Sequence, residues 1–357
     1  MSRDFSLWAR LLPWPRHKRT DPLDGLVRLA RHAADILTAR LDAIEQRLDR
    51  IEQGGLDRGA APGVEVVIEP RQYATIMRRL DMLERLSHGG RGTYVGGNRV
   101  LAKCAIGEVS LGYLVEADDV LLSPGLILNG SHEDDLVRFF AAHVQEDSRC
   151  LDVGANYGFF ACLLGKYARR GKVVAIEPHP AVFALLHDNI QLNDVAPVVT
   201  PLRVAVSDGP GKLQLFPRAG RSGNTSITQM PDAALAWLGE AKTEPFWVDS
   251  LRIDDLLPQF DGRIDFIKLD VEGAEPLALR GARQTIAANP QLAIVMEWAP
   301  SQLRDAGFET ARFVDEIRGA GLVAADLGPA GIRELSFDEL LGLDYRAGIL
   351  LRRHARG

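Results

Sequence analysis

The segment from Asp152 to Gly158 reads Asp-Val-Gly-Ala-Asn-Tyr-Gly, a pattern that predicts a tight turn for holding a ligand. Glycines allow close backbone approach where a helix begins. The Gly-x-Gly-x-x-Gly pattern of dinucleotide folds is not met, because Asn156 stands at its second glycine position. A carboxylate at Asp152 would repel a pyrophosphate but attract the ammonium and sulfonium groups of S-adenosylmethionine. Asp152, Gly154, Asn156 and Gly158 are therefore predicted to bind that cofactor.

A second acid, Glu177, stands in the sequence Ile-Glu-Pro at the end of the next predicted strand. A carboxylate in that position can accept hydrogen bonds from both hydroxyls of a cofactor ribose. A solvated strand end is the alternative for Glu177 taken alone. Because the glycine turn precedes it at a suitable distance, Glu177 is predicted to bind the ribose.

Three charged residues stand at the end of a later strand, in Ile-Lys-Leu-Asp-Val-Glu-Gly. The strand period of two places Lys268 and Asp270 on one face, although central parallel strands are normally apolar. Unpaired buried charges are costly, so these residues either pair or face a ligand cleft. Lys268, Asp270 and Glu272 are the predicted catalytic residues, with Asp270 or Glu272 as the base. The alternative is an internal Lys268–Asp270 ion pair, with Glu272 capping the next helix.

Glu297 ends the following strand, in Met-Glu-Trp, and is expected to open on the same crevice. Carboxylate oxygens suit magnesium, so a divalent metal that bridges these acids and two substrate hydroxyls is compatible with the pattern. The residues do not decide between a metal-dependent and a metal-free site. No metal ligand is predicted.

The elements that must position these residues alternate between strand-like and helix-like patterns from Cys150 onward. This alternation predicts a doubly wound α/β fold with a mostly parallel, seven-stranded, Rossmann-like sheet. Helices are predicted between strands, for example at Pro180–Leu192 and Ala274–Ala287. The span Lys212–Val248 interrupts the alternation as an insertion. The predicted strands are Arg149–Val153, Lys172–Glu177, Leu202–Val206, Ile264–Asp270, Leu292–Glu297, Leu322–Asp326 and Ala347–Leu351.

The region before this domain carries apolar residues in alternating steps of four and three over residues 21–53. That period of 3.5 predicts a coiled coil, and hence a homodimer, because it keeps one stripe facing a partner helix. A helix folded back on its own domain is the alternative. The predicted divisions are a basic and aromatic tail (1–20), the coiled coil (21–53), a linker (54–69), a helix (70–90), a small β-rich lead-in with short strands between Tyr94 and Leu128 (91–135), and the α/β domain (136–357).

The composition disfavours several classes of protein. A net charge of -6 over 357 residues gives no electrostatic case for binding nucleic acid. The 3 cysteines are scattered, so neither a disulfide framework nor a zinc site is predicted, and the expected location is cytoplasmic. No apolar run reaches the roughly 20 residues of a membrane-spanning helix. The tail, with Trp8 and Trp14 before a basic cluster, is compatible with weak contact at the inner membrane face or with disorder.

Six motifs occur in an order and spacing that resemble the FkbM family of methyltransferases, a Rossmann-like class that uses S-adenosylmethionine. The resemblance covers roughly Leu136 to Leu351 and does not clearly reach the coiled-coil region. The motifs are DVGANYG at Asp152–Gly158, VVAIEPHP at Val173–Pro180, DNIQLN at Asp188–Asn193, VAVSD at Val204–Asp208, IKLDVEGAE at Ile267–Glu275 and MEW at Met296–Trp298.

The resemblance implies methyl transfer to a hydroxyl, commonly on a sugar or a polyketide-like metabolite. It implies that the turn residues and Glu177 line the cofactor and that Asp208 lies near the adenine. It also implies that a loop of small residues, Ser222–Ser226, lies over the cleft, with Asn224 and Ser226 as substrate-loop residues, and a plain flexible loop is the alternative. The expected partner is therefore a small-molecule or glycan hydroxyl acceptor.

Two other functions are weighed against this one. A nicotinamide-dependent oxidoreductase is disfavoured by Asp152 and by the missing glycine. A non-enzymatic protein would use the coiled coil as its working part and tether a catalytically silent domain to a partner. Loss of cofactor binding on Asp152→Ala, together with loss of the cellular phenotype, would indicate an enzyme.

Overall fold

The computed structural model describes residues 92–238 and 240–353, so the predicted tail, coiled coil, linker and second helix lie outside the described residues. The strands are β1 (Thr93–Gly96), β2 (Arg99–Ile106), β3 (Val109–Glu116), β4 (Arg149–Val153), β5 (Lys172–Ile176), β6 (Val199–Leu202), β7 (Ala205–Val206), β8 (Gly211–Arg218), β9 (Arg221–Ser226), β10 (Phe246–Leu251), β11 (Phe266–Leu269), β12 (Ala293–Trp298), β13 (Leu322–Gly328), β14 (Gly331–Leu335) and β15 (Arg346–Arg353). The α-helices are α1 (Leu122–Asn129), α2 (Asp134–His143), α3 (Phe159–Tyr167), α4 (Pro180–Leu192), α5 (Asp232–Leu238), α6 (Glu275–Arg280), α7 (Arg283–Ala288), α8 (Pro300–Asp305), α9 (Thr310–Gly319) and α10 (Phe337–Leu341), and a 3₁₀ helix spans Ile253–Phe260.

The central sheet has 8 strands in the order β14-β13-β15-β12-β11-β4-β5-β6. The five strands from β12 to β6 are parallel, while β15, β13 and β14 pair antiparallel beside β12. The predicted α/β class and mostly parallel sheet are confirmed, but the predicted number of seven strands is wrong. The additional strand, β14, is exposed along most of its length, so it carries no buried apolar pattern for a sequence to reveal.

Two segments differ locally from the predicted elements. The run Leu202–Val206 is not one strand: Val199–Leu202 pairs with β5, and Ala205–Val206 joins another sheet beside β10. The predicted helix Ala274–Ala287 is divided into α6 and α7 around Gly281. A Cβ on Gly281 would lie 2.2 Å from the carbonyl oxygen of Ser207, so two backbones meet where the helix is interrupted.

The lead-in and the insertion form smaller sheets. Strands β1, β2 and β3 make an antiparallel sheet, but the later part of the lead-in is the helix α1 rather than a strand. Buried Asn189 and Asn193 of α4 hold this sheet in place, since their amides exchange hydrogen bonds with the backbone of Leu114 and Gly112 in β3. The insertion supplies β8 and β9, which form a sheet with β7 and β10 in the order β7-β10-β8-β9.

Two apolar cores cover the faces of the central sheet. One core contains buried residues of β2, β3, α2, α3 and α4. The other contains residues of the 3₁₀ helix, α6, α7 and α9. Burial on both faces leaves the strand ends as the place for polar chemistry, and β4, β5, β11 and β12 end at the same edge because they are parallel. Among the described helices, none has the length and apolar character needed to cross a membrane.

Candidate active site

A cavity of about 490 Å³ lies at the carboxyl ends of β4, β5, β11 and β12. Most of the predicted site residues meet there, although they are far apart in the sequence. Those that line the cavity are Gly154, Asn156, Glu177, Asn224, Lys268, Asp270, Glu272 and Glu297. The fold therefore brings both the predicted cofactor residues and the predicted acids to one space.

The turn after β4 passes directly against the end of β11. The amides of Gly154 and Ala155 both donate to the carbonyl oxygen of Ile176, at 3.0 and 2.9 Å. Gly154 has a φ of +80°, and a Cβ at this residue would lie only 1.7 Å from the carbonyl oxygen of Asp270. Glycine is thus required for two reasons, the left-handed backbone and the close approach. Because Gly154 has no side chain, the backbone of this turn stays accessible to a ligand in the cavity.

Glu177 is connected to this turn through its carboxylate. It accepts a hydrogen bond from the Asn156 amide at 3.0 Å and one from the His179 amide at 2.8 Å, each on a different oxygen. Burial raises the pKa of Glu177 to about 7, against the lowering effect of these two amides. A carboxylate oxygen can accept more than one hydrogen bond, so both oxygens keep capacity for the hydroxyls of a ribose.

Asp152 lies beneath the cavity rather than in its wall. Its side chain is completely buried, and it stands opposite Lys268 in the register of β4 and β11. Burial raises the pKa of Asp152 to about 6, while the nearby positive charge of Lys268 lowers it. The alternation of β4 directs the Asp152 side chain into the core beside Lys268 and not into the cavity wall, so cofactor binding by this carboxylate stays a prediction.

Lys268 and Asp270 form the ion pair that the sequence left open as an alternative. The Lys268 Nζ donates to Asp270 Oδ2 at 2.9 Å and lies 5.3 Å from the centre of the Phe160 ring. Burial by itself would lower the pKa of Lys268, but the carboxylates of Asp270 and Asp152 raise it well above its usual range. Lys268 therefore stays charged and fixes the Asp270 carboxylate at the cavity wall.

Glu272 points into the cavity and is held by two amide groups. Its Oε2 accepts hydrogen bonds from Asn224 Nδ2 at 3.0 Å and from Gln302 Nε2 at 2.7 Å. Burial, and then the negative charge of Asp270, raise the pKa of Glu272 to about 8. Glu272 does not cap the next helix, because Glu275 accepts from the amides of Val271 and Gly273 instead. Of the two parts of the alternative stated for this segment, the ion pair is present in the structure and the helix cap by Glu272 is not.

Glu297 is the third acid at this end of the cavity. Burial, and then the charges of Asp270 and Glu272, raise the pKa of Glu297 to about 10, while the Tyr345 hydroxyl that hydrogen-bonds it lowers this value. One carboxylate oxygen from each of the three acids lies within 4.8 Å of the others. This spacing can accommodate a shared cation or a shared proton.

The hairpin of β8 and β9 covers part of the cavity. The Ser222 hydroxyl donates to Asp119 at 2.9 Å and accepts from Asn156 Nδ2 at 3.3 Å. Asn224 reaches Glu272, as described above, and the Ser226 hydroxyl donates to the carbonyl oxygen of Glu272 at 3.5 Å. The hairpin thus joins the turn after β4 to the acids after β11.

Besides Asp152, three predicted residues do not line the cavity. Gly158, with a φ of +87°, immediately precedes α3, and a Cβ there would meet Leu186 at 2.6 Å, so packing requires glycine at this position. The Ser226 hydroxyl donates to the backbone carbonyl oxygen of Glu272 and accepts from the Thr228 amide. Asp208 is exposed and away from the cavity lining, whereas Val204, Ala205 and Val206 are part of it.

Among the further residues that line the cavity, four polar ones that the sequence did not assign to the site are His132, Glu133, Gln302 and Tyr345. His132 and Glu133 precede α2, and Gln302 lies on α8. Burial lowers the pKa of His132 to about 4, so this residue is neutral. The stretch before α2 carried a sequence signal, since Gly130 to Glu133 resembles a Gly-aromatic-Glu stretch of related proteins, with Ser131 and His132 in the aromatic's place. The sequence around Gln302 and around Tyr345 contains no such signal.

Comparison with known proteins gives a family match over much of this domain. Residues 152–321 match the family described as Methyltransferase FkbM domain. The chain is 28% identical over 200 residues to Methyltransferase sdnD of Sordaria araneosa, which covers 48% of this chain and 77% of that protein. It is 29% identical over 149 residues to Methyltransferase 1 of Beauveria bassiana, which covers 38% of this chain and 59% of that protein.

Solved structures show only a distant likeness. An O-methyltransferase from Bacillus cereus in complex with SAH has a TM-score of 0.35 at 12% identity, covering 62% of this chain and 80% of that chain. TYW2 of M. jannaschii in complex with AdoMet has a TM-score of 0.36 at 14% identity, covering 73% of this chain and 90% of that chain.

Proposed function

Because residues 152–321 form a methyltransferase domain of the FkbM family, we propose that this chain transfers the methyl group of S-adenosylmethionine to a hydroxyl oxygen. The acceptor we propose is a sugar, a glycan or a related metabolite. The observation that carries this proposal is one continuous cavity, with the glycine turn and Glu177 at one end and Glu272 among buried acids at the other.

The residues around the turn fit the proposed cofactor. Gly154 leaves a backbone cradle that a Cβ would fill, and Glu177 keeps acceptor capacity on both oxygens for a ribose diol. The bound cofactor supplies a methyl group on a positively charged sulfur, which an acceptor oxygen can displace in line. The acidic side chains that line the cavity, among them Asp270, favour a positively charged group there.

Glu272 is the proposed base. It faces the cavity, and its raised pKa makes it an effective acceptor of a hydroxyl proton near neutral pH. Asn224 and Gln302 hold its Oε2, so the carboxylate is oriented before the acceptor binds. Lys268 fixes Asp270 beside it. With the cofactor bound, the acceptor oxygen would form its bond to the methyl carbon as the carbon–sulfur bond breaks to leave a neutral thioether, and Glu272 would take the hydroxyl proton.

The surroundings of Glu272 also favour a neutral acceptor. Asp270 and Glu133 line the same cavity, so an anionic acceptor would meet negative charge. Carboxyl groups and the Tyr345 hydroxyl hydrogen-bond readily to hydroxyls. A polyhydroxylated, uncharged acceptor satisfies both conditions.

The first test is cofactor binding by calorimetry. We expect the full chain to bind S-adenosylmethionine, and Glu177→Gln to weaken that binding about tenfold or more, because one carboxylate acceptor is replaced by an amide donor. Glu334→Gln is the matched control, since Glu334 lies on β14 and is exposed. Tighter binding of NADH than of S-adenosylmethionine would favour the oxidoreductase and contradict the proposal.

The acceptor is to be identified in cells. We expect a strain that lacks this protein to lose one methyl group from a surface polysaccharide or a small metabolite, as read by mass spectrometry. Complementation with the wild type should restore the methyl group, and complementation with Glu272→Gln should not. Equal restoration by both would support the tethering role proposed as the non-enzymatic alternative. Dimerisation through residues 21–53, cytoplasmic location and contact with a membrane remain predictions from the sequence.

A further inference from the structure

Glu133 occupies an unusual position at the start of α2. It is the residue before the first turn of the helix, yet its side chain makes no capping hydrogen bond to that turn. Its backbone is left-handed, with a φ of +51°, which a non-glycine residue adopts only at a cost. The side chain is thereby directed into the cavity, where it is part of the lining. The conformation favours exposure of Glu133 to a ligand over capping of the helix.

The Glu133 carboxylate has no strong partner of its own. Its Oε2 is sealed from solvent and has no hydrogen-bond partner. Its Oε1 lies 3.6 Å from Nε2 of His132, which is beyond hydrogen-bond distance. His132 carries no compensating charge, because burial lowers its pKa. The nearest cation, Lys268, is already bound to Asp270.

An unpaired buried carboxylate is costly, so it points to a positive group that arrives with a ligand. Arg221 is a further cation in the cavity lining, but it is paired with Glu240 and not with Glu133. Among the described residues, Lys268 lowers the pKa of Glu133 by its charge, but its hydrogen bond goes to Asp270 and not to Glu133. A bound ammonium would supply the positive charge that the Glu133 carboxylate lacks.

The order of the strands indicates which ammonium this is. Glu177 follows β5, Gly154 follows β4, and Lys268 and Asp270 lie at the end of β11, and these strands are neighbours in the order β11-β4-β5. A cofactor with its ribose at Glu177 therefore extends over Gly154 toward β11. Lys268, and then Asp270, are the residues at this end of β11 whose charges act most strongly on Glu133. The amino-acid part of a bound cofactor would lie on that side.

We propose that Glu133 binds the α-ammonium group of S-adenosylmethionine and so completes the amino-acid end of the cofactor site. This inference rests on the proposed function, because it requires that cofactor. It assigns Glu133 to binding and not to proton transfer.

Two ligands separate this role from a general effect on the cavity. S-adenosylhomocysteine carries the α-ammonium, whereas 5′-methylthioadenosine has the same adenosine and thioether but no amino-acid part. By calorimetry on the full chain, we expect Glu133→Gln to weaken S-adenosylhomocysteine about tenfold to a hundredfold and to leave 5′-methylthioadenosine unchanged. The ligand-free variant should melt no lower than the wild type, since an unpaired buried charge has been removed.

Glu309→Gln is the matched control. Glu309 also stands immediately before a helix, α9, and also makes no side-chain cap, but it is exposed. We expect it to bind both ligands as the wild type does. Undiminished binding of S-adenosylhomocysteine by Glu133→Gln would overturn the inference, and so would an equal loss of both ligands. If the wild type bound neither ligand, the proposed function itself would fail.

Discussion

Glu272 combines three features of a base at the scale of a single residue. Its backbone is left-handed, with a φ of +55°, a conformation that costs about 1–2 kcal/mol for a non-glycine residue. Its carboxylate is buried next to Asp270, and two side-chain amides hold one of its oxygens. Strain of this kind persists where the surrounding structure fixes it, and it commonly marks functional sites.

We predict that Glu272→Gln lowers kcat for methyl transfer by about 10²–10⁴-fold and leaves the affinity for S-adenosylmethionine unchanged. The base must be deprotonated to work, and burial raises the pKa of Glu272 to about 8. Wild-type activity should therefore rise with pH through about 8, and the residual activity of the variant should lack this rise. The measurement is kcat as a function of pH, with calorimetry for the cofactor.

A neighbouring variant provides the check on this assignment. The hydrogen bond from Asn224 lowers the pKa of Glu272, so Asn224→Ala should shift the midpoint of the pH profile upward. Thr228→Ala, an exposed position just beyond β9, serves as control and should leave the midpoint in place. A profile that stays the same in Asn224→Ala would argue for a different base.

At the scale of elements, the turn after β4 depends on contact with β11. Gly154 and Gly262 share a φ of +80°, but a Cβ at Gly262 would have no atom within 4 Å, whereas one at Gly154 would meet the Asp270 backbone. Alanine at either residue carries the left-handed penalty of about 1–2 kcal/mol. Only the alanine that replaces Gly154 would also have to displace the backbone of Asp270 at the end of β11.

We therefore predict that Gly154→Ala lowers the melting temperature more than Gly262→Ala does, and that it weakens S-adenosylmethionine more than about tenfold. Gly262→Ala should lower the melting temperature by only a few degrees and leave binding intact. Thermal denaturation and calorimetry on both variants decide the matter. Similar losses of stability and affinity in the two would mean that the contact between the turn and β11 does not shape the site.

At the scale of the whole molecule, the site concentrates buried carboxyl groups with raised pKa values. Burial is the largest cause of the raised pKa in each of these groups. The pKa values are about 6 for Asp152, about 7 for Glu133, Glu177 and Glu275, about 8 for Glu272 and about 10 for Glu297. Each group binds its proton more tightly in the folded chain than in the unfolded chain. Their contribution to stability is therefore complete below about pH 4 and is lost as pH rises through these values.

We predict that the ligand-free protein melts at a higher temperature near pH 5.5 than near pH 8, because the unfolded chain releases these protons earlier than the folded one. Thermal denaturation across this range, in buffers of equal ionic strength, gives the measurement. Bound S-adenosylhomocysteine should reduce the slope, since its ammonium compensates part of the negative charge. A melting temperature that rises steadily from pH 5.5 to pH 8 would refute the prediction.

The amino-acid sequence by itself determined the class of fold and much of the site. Glycines and acids stand directly after apolar segments, and parallel strands end at one edge, so the pattern alone places Gly154, Glu177, Asp270, Glu272 and Glu297 together. These features are local, because a strand end and a turn are written in a few consecutive residues. The predicted strand Arg149–Val153 and the predicted helix Pro180–Leu192 have the bounds that the structure shows.

The tertiary structure alone decided which groups face the ligand. A period of two tells which side chains share a face of a strand, but not which face is covered, and so the pattern predicts Asp152 in the cavity although it lies in the core. Gln302 comes from a helix whose sequence carries no ligand pattern of its own, and it reaches the cavity only through packing against the sheet. The separate roles of Glu272, which faces the cavity, and Glu275, which caps the backbone, likewise depend on the path of one left-handed turn.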